Sequence, residues 1–294
     1  MKALLISSFV LFVLVNGISA AGLSVVSSLD SDSRLTADRD EPADTIEKWL
    51  LDGRNYWTRY RDIPSLISYY AERQLGITYV DGLLDEPEEE QLVVTLDGTD
   101  CVIYVETSLA LAMTTLQGHS SFEAFRDNIR VIRYREGEID GYESRLHYFS
   151  DWLATNEEKG FISILFQDEE LPEIGPVNFM SENRESYKHL GDNVDMIRKI
   201  RKMEDRSVDR DLKYIPEDRI PEFVSRFRTG DVLAFVTTVD GLDIIHTALV
   251  KMDGGRAGFY HASLTGSVIV DPKTIYEYAR NRDNINGIVI ARLH

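Results

Sequence analysis

The stretch Gly98–Glu106, with the sequence GTDCVIYVE, opens a long apolar run that ends at Leu116. Its Cys101 is the only cysteine among the 294 residues of the chain. In an exported chain a single thiol has no partner for an internal disulfide. The cysteine is therefore either buried and inert or retained for its chemistry, and we predict the second.

Helical spacing of apolar residues surrounds this stretch. From Cys101 to Leu116 the apolar residues are so dense that we predict a helix buried on most sides. Two earlier helices are predicted over Asp44–Tyr56 and Pro64–Leu75, and Gly76 ends the second. Residues Ser120–Tyr214 form a long, charged and mixed section.

The last third of the chain changes to short β-favouring runs separated by Gly and Asp turns. These runs are Val232–Val236, Ile244–Val250, Phe259–Ser263, Ser267–Val270 and Gly287–Arg292. An antiparallel sheet that follows a buried helix predicts an α+β fold.

The first residues predict export. A basic start at Met1-Lys2 precedes the apolar segment Ala3–Val15 and then small residues up to Ala21, a pattern typical of a cleaved secretory signal. An uncleaved N-terminal anchor is the alternative. We expect a signal peptide at 1–21, a disordered leader at 22–43 and one domain at 44–294, in which 44–75 is a helical elaboration and 120–214 an insertion that lines the cleft. The predicted location is secreted, most simply periplasmic.

Charge restricts the partners. The net charge of −18, from 50 acidic and 32 basic residues, disfavours nucleic acid and anionic lipid surfaces, and no second stretch is apolar enough to cross a membrane. We expect no cofactor, and the sequence sets no oligomeric state. Because the chain is so acidic, we expect any arginine that lines a pocket to bind an anionic group of a ligand.

A cysteine nucleophile needs a base and a group that orients that base. His246 and His261 lie on successive β runs joined by a Gly254-Gly255 hairpin signal, and cross-strand neighbours are about 5 Å apart. The N-terminus of the Cys101 helix would favour a thiolate and receive an oxyanion. The alternatives are structural histidines or a zinc site, but the chain has no HExxH or CxxC pattern.

Five motifs in order resemble the NlpC/p60 superfamily of papain-like cell-wall hydrolases. They are Leu75–Tyr79, Asp100-Cys101, Gly230–Phe235, His246–Val250 and His261–Ser263. The resemblance implies a papain-like fold, with the nucleophile helix packed on the antiparallel sheet.

Two segments, Asp100–Glu106 and Arg133–Trp152, look like the N-acetylmuramoyl-L-alanine amidase-like branch of that superfamily. This branch implies hydrolysis of the amide between the lactyl group of muramic acid and L-alanine in muropeptides, the expected partners. The alternatives are a D-glutamyl-diamino acid endopeptidase of the same fold and a non-catalytic cell-wall binding module.

The resemblance also implies roles for single residues. Cys101 would be the nucleophile, His246 the general base and then acid, His261 the orienting residue and Tyr79 a donor to the oxyanion. The chain departs from the peptidases at Val102-Ile103, where they have Ser-Gly, and at Thr78, where proline is usual.

The predicted substrate contacts rest on charge. Arg145, flanked by His147 and Tyr148, is the candidate receiver of a muropeptide carboxylate, with a structural ion pair as the alternative. Asp100 is placed beside the substrate or, alternatively, only caps the helix. Glu106 is expected to reach a buried partner such as Arg145.

Overall fold

The computed structural model describes residues 41–207 and 211–294, so the predicted signal peptide and nearly all of the predicted leader lie outside it. Helices form most of the first half of the described chain, and shorter ones are interspersed in the second half. The helices of the described residues are α1 (Glu41–Tyr60), α2 (Ile63–Arg73), α3 (Cys101–Leu116), α4 (Phe122–Arg133), α5 (Phe149–Glu158), α6 (Phe179–Glu182), α7 (Val194–Ser207), α8 (Ile220–Phe223) and α9 (Ile275–Arg280). Short 3₁₀ turns occupy Tyr142–Ser144, Arg184–Ser186, Glu217–Arg219 and Val224–Arg226.

The central helix α3 has the bounds predicted from its apolar density. The Asp100 side chain caps it by accepting a hydrogen bond from the Ile103 backbone N–H at 2.7 Å. Almost every residue of α3 is buried, which confirms a helix enclosed on most sides. Helix α2 ends at Arg73, and Gly76 then adopts a φ of 90°, a backbone conformation that favours glycine.

Seven strands form one antiparallel sheet. They are β1 (Ile162–Ile164), β2 (Ile215–Pro216), β3 (Val232–Thr237), β4 (Ile244–Asp253), β5 (Arg256–Ala262), β6 (Val268–Val270) and β7 (Ile285–Leu293). The order is β1-β7-β3-β4-β5-β6, and β2 also pairs with β7. The β4–β5 hairpin turns at Gly254 and Gly255, which both have positive φ angles as the predicted hairpin requires.

Both faces of the sheet are covered, and this explains why its strands read as continuous apolar runs. One face packs with helices α1 to α5 in a core that includes Val232, Ala234 and Leu249. The opposite face packs with α8 and α9 in a core that includes Phe235 and Phe259. The architecture is therefore α+β, as the sequence predicts.

The middle section builds a third, smaller core. Buried side chains of α7, among them Ile200 and Met203, pack with Tyr148 and Met180. The charge-rich segment Val194–Ser207 is therefore an amphipathic helix. Within the described residues, no helix is long and apolar enough to cross a membrane.

Candidate active site

A cavity lies where the start of α3 meets the start of β4. Cys101 and His246 both line it, with Asp243 as its one carboxylate among the described residues. The cavity wall also includes the polar residues His147 and Thr247, of which Thr247 directly follows His246 in the chain. The remaining wall is mostly apolar and consists of Val102, Tyr148, Phe149, Met180, Tyr187, Leu242, Ile244 and Ile245. The wall thus includes residues of the middle section, as predicted, and none of the described residues that line it comes from α1 or α2.

The two predicted histidines are in direct contact. His246 Nε2 lies 2.7 Å from His261 Nδ1, and the two rings meet edge to face with centroids 5.0 Å apart. The register pairs Leu249 with Tyr260, so the pair is diagonal across the β4–β5 ladder rather than directly opposite. Both side chains are buried.

A hydrogen bond ties the histidine strand to the cysteine helix. The Thr247 hydroxyl donates to the Cys101 backbone carbonyl at 2.7 Å. Because Thr247 follows His246 directly, this bond fixes the start of α3 beside the base candidate. Asp243 stiffens the same wall by accepting from the backbone N–H groups of Ser150 and Ile244, both at 2.7 Å.

The resting protonation state differs from the thiolate that we expected. Burial, reinforced by the nearby Asp100 carboxylate, raises the pKa of Cys101 to about 12, so the helix terminus does not dominate. Burial also lowers the pKa of His246 well below its usual range, and the neighbouring His261 and Arg282 act in the same direction. At neutral pH the site therefore holds a thiol beside a neutral imidazole.

A thiol beside a hydrogen-bonded imidazole pair has the parts needed for nucleophilic acyl transfer. Across residues 41–207 and 211–294, no group of three or more His, Cys, Asp and Glu side chains is arranged to hold a metal ion. Of the described residues that line the cavity, Asp243 alone carries a carboxylate, whereas glycoside hydrolysis uses two.

Comparison with known proteins identifies the relatives of this chain. A family model described as N-acetylmuramoyl-L-alanine amidase-like matches residues 69–288, which include the cysteine, both histidines and the whole cavity wall. The chain belongs to the N-acetylmuramoyl-L-alanine amidase-like family. No curated protein matches it.

Solved structures support this amidase-like assignment. An N-acetylmuramoyl-L-alanine amidase from Bacteroides uniformis has a TM-score of 0.74 and 29% identity, over 79% of this chain and 98% of that one. A candidate xylanase from Bacteroides fragilis has a TM-score of 0.72 and 29% identity, over 76% and 99%. A Legionella pneumophila protein, at 20% identity over 88% and 96%, has a TM-score of 0.63 and so shares the fold.

Two predicted substrate contacts of the amidase-like protein are engaged elsewhere. Arg145 is buried and forms ion pairs with Asp85 and with Glu90, so its guanidinium is not an unpaired anion receiver. Glu106 does not reach Arg145. It pairs instead with Arg133 at 2.7 Å, and it also accepts from the Trp152 indole at 3.0 Å. Arg133 and Arg145 therefore make structural ion pairs between separate segments of the chain.

The other predicted residues lie around the cavity. His147 and Tyr148 line it. His147 Nε2 donates to the Tyr142 carbonyl at 2.7 Å, and burial with the adjacent Arg145 lowers the pKa of His147 to about 3, so its Nδ1 is an acceptor. The Tyr148 hydroxyl is occupied by Glu204, which leaves the ring as an apolar wall.

Neither Asp100 nor Tyr79 is among the described residues that line the cavity. Asp100 has the capping role described above, and burial raises its pKa to about 6. Tyr79 forms a β-bridge with Thr99, two residues before Cys101.

Sequence reasoning missed several residues of this site. Thr247 lies within a predicted motif, and Asp243 and Asp271, whose carboxylate contacts His261, lie next to predicted β runs, but nothing in the spacing of the three assigns them a contact. The one local feature that could have singled out Asp271 is its position directly after the predicted β run Ser267–Val270. Met180 and Tyr187 reach the cavity from a section with no motif at all.

Proposed function

We propose that this protein is a cysteine amidase that hydrolyses the N-acetylmuramoyl-L-alanine bond of muropeptides. In this proposal Cys101, His246 and His261 form the triad and the fold is the papain-like NlpC/p60 fold. The observation that carries the proposal is the 2.7 Å contact between His246 Nε2 and His261 Nδ1 in the cavity wall that also holds Cys101, in a chain of the amidase-like family.

The first half-reaction starts from a protonated thiol. His261 occupies Nε2 of His246, so Nδ1 of His246 is the nitrogen available to take the Cys101 proton as sulfur attacks the lactyl carbonyl carbon. The carbonyl oxygen becomes an oxyanion, for which the N-terminus of α3 and the Tyr79 hydroxyl are the proposed donors. The His246 imidazolium then protonates the amine of L-alanine, and the C–N bond breaks.

The second half-reaction resolves a thioester between Cys101 and the lactyl group. Neutral His246 removes a proton from water, and the oxygen attacks the thioester carbonyl. Collapse of this intermediate releases the muramoyl carboxylic acid, and the proton on His246 returns to the Cys101 sulfur. No cofactor takes part in either half.

The mass of the covalent intermediate tests this proposal directly. Purified protein is mixed with a defined muropeptide, quenched in acid within seconds and measured intact. The amidase predicts that Cys101 gains the mass of the glycan with its lactyl group, and Cys101→Ala supplies the control without a thiol. An endopeptidase would instead add the glycan with L-alanine and D-glutamate, whereas a binding module would add nothing.

Export is part of the proposal. The apolar segment within residues 1–21 supports a cleaved signal, a leader over 22–43, one domain over 44–294 and a periplasmic location. Intact mass of the protein recovered from the periplasm tests cleavage near Ala20 or Ala21. Recovery of the full-length chain with the membrane fraction would contradict it.

A further inference from the structure

A buried carboxylate lies behind the histidine pair. Asp271 follows β6 directly, and its Oδ2 is 3.3 Å from His261 Nε2. Asp271 is fixed in place because its backbone N–H donates to the Phe259 carbonyl at 3.0 Å and its Oδ1 accepts from the Lys273 backbone N–H at 2.8 Å. His261 Nε2 is buried and has no regular hydrogen bond in the described structure, so Asp271 is the acceptor within reach.

The contact between the two histidines can run in either direction, and the direction decides the chemistry. One proton lies between His246 Nε2 and His261 Nδ1 when both rings are neutral. If His246 donates that proton, its own Nδ1 is unprotonated and can act as a base. If His261 donates it, the neutral His246 ring carries its proton on Nδ1 and cannot accept one from a thiol.

We propose that Asp271 is a positioning residue that sets this direction by fixing the tautomers of both histidines. An ionised carboxylate only accepts hydrogen bonds, so it requires a proton on His261 Nε2. The Nδ1 of neutral His261 is then unprotonated and accepts from His246 Nε2, which leaves His246 Nδ1 as a base. This inference rests on the proposed function, in which His246 is the base for Cys101.

The charges around the pair support an ionised Asp271. Burial alone would raise the pKa of Asp271, but its contacts with His261 and the Lys273 backbone lower it below the usual range. Tyr278 packs against both rings, with centroid distances of 6.3 Å to His246 and 5.8 Å to His261.

Other charged or titratable groups also lie near the rings. The Arg282 guanidinium lies over the Tyr278 ring at 3.4 Å and disfavours a protonated His246. Asp271 acts on His246 in the opposite sense. Cys101 shares the cavity wall with His246 and is the thiol that the base serves. Asp271 is therefore the anion that can stabilise an imidazolium formed in this pair.

Ring-nitrogen NMR of histidine-labelled protein tests the proposal without any substrate. In the wild-type protein we expect protonated Nε2 and unprotonated Nδ1 on both His246 and His261. A proton on Nδ1 of His261 would overturn the proposal, even if no variant at position 271 can be purified.

The matched variant is Asp271→Asn, whose amide has the same shape but can donate to His261 Nε2. We expect a shift of the histidine tautomers and a fall in kcat of about 100-fold with little change in KM, because general-base catalysis contributes roughly 10²- to 10⁴-fold. Asp231→Asn is the control, since it removes a buried carboxylate that pairs with Arg292 and touches neither histidine. It should keep the wild-type tautomers.

The experiments distinguish a failure of the positioning role of Asp271 from a failure of the proposed amidase activity. Wild-type tautomers and kcat within threefold in Asp271→Asn would overturn the positioning role while leaving the amidase intact. If the wild-type protein cuts no muropeptide, alkylation of Cys101 by iodoacetamide replaces turnover as the readout. A slower alkylation in Asp271→Asn than in Asp231→Asn would then uphold the positioning role although the amidase proposal had failed, and equal rates would overturn it.

Discussion

Replacing Asp100 with Asn separates the two effects of this residue, its cap on α3 and its charge. The Asn side chain keeps an oxygen for the Ile103 backbone N–H, and Asn is as good an N-cap as Asp. The substitution does remove the charge of the carboxylate. This matters for stability because burial raises the pKa of Asp100 from 3.8 to about 6. A carboxyl with a raised pKa favours the folded state when protonated, and ionisation opposes folding.

The magnitude follows from that shift. A difference of roughly 2 pKa units corresponds to about 3 kcal/mol at 25 °C. The benefit of the protonated form is complete below pH 3.8 and is lost as the pH rises through about 6. Asp100→Asn should therefore be up to about 3 kcal/mol more stable than the wild type at pH 8, and equal to it at pH 3.5.

Urea unfolding at pH 3.5, 6 and 8 measures the free energy of unfolding for both proteins. Asp100→Ala is the control, since it removes the charge and the cap together and should lose about 1 kcal/mol relative to Asn at every pH. The same charge also raises the pKa of Cys101, so Asp100→Asn should react faster with iodoacetamide. A stability difference between the two proteins that does not change with pH would show that the charge of Asp100 does not oppose folding.

Three further predictions concern the thiol, the buried ion pair and a tight backbone contact. Because the pKa of Cys101 is raised from 9.0 to about 12, iodoacetamide should label it at pH 7 roughly 10³-fold more slowly than an exposed thiol, and comparable rates by mass spectrometry would contradict this. Arg133→Met leaves Glu106 buried without its partner and should cost about 3–5 kcal/mol by urea unfolding, most of it recovered when Glu106→Met is added. Gly287→Ala would place a Cβ 2.1 Å from a backbone carbonyl oxygen of β2 and should lower stability by about 1–3 kcal/mol, whereas Gly175→Ala, with open space around it, should change the Tm little.

The parts of the fold that local pattern controls could be predicted from the sequence. The apolar density of Cys101–Leu116 gave the bounds of α3, because a helix buried on most sides needs such a run. The β runs after residue 230 correspond to β3 to β7. The strands β3, β4 and β7 extend beyond the predicted runs, β5 starts earlier but ends one residue before its predicted end, and β6 starts one residue after its predicted start. The histidine pair was expected because one hairpin joins its two strands.

The partners of buried charges could not be predicted, because tertiary packing decides them. Glu106 and Arg133 lie on separate helices, and only the packing of α3 against α4 brings them together at 2.7 Å. The ion pairs of Arg145 with Asp85 and Glu90 likewise depend on tertiary packing, because more than 50 residues separate Arg145 from these two acids in the chain. The short edge strand β1 also has too little local signal, since its pairing with β7 joins distant parts of the chain.

The state of the thiol was mispredicted for a physical reason. A helix N-terminus lowers the pKa of a thiol, whereas burial in apolar surroundings raises it. Cys101 is 8% exposed and sits beside the Asp100 carboxylate, so burial outweighs the helix terminus. The depth of a site depends on the elements folded over it, and a sequence motif does not contain that information.

The central claim is that Cys101 cleaves the bond between muramic acid and L-alanine. The most direct measurement is mass spectrometry of the products from a defined muropeptide, with the mature protein beside its Cys101→Ala variant. We expect a free stem peptide that begins with L-alanine, formed by the wild type and absent with the variant. The same peptide formed by Cys101→Ala, or a wild-type cut after D-glutamate, would contradict it.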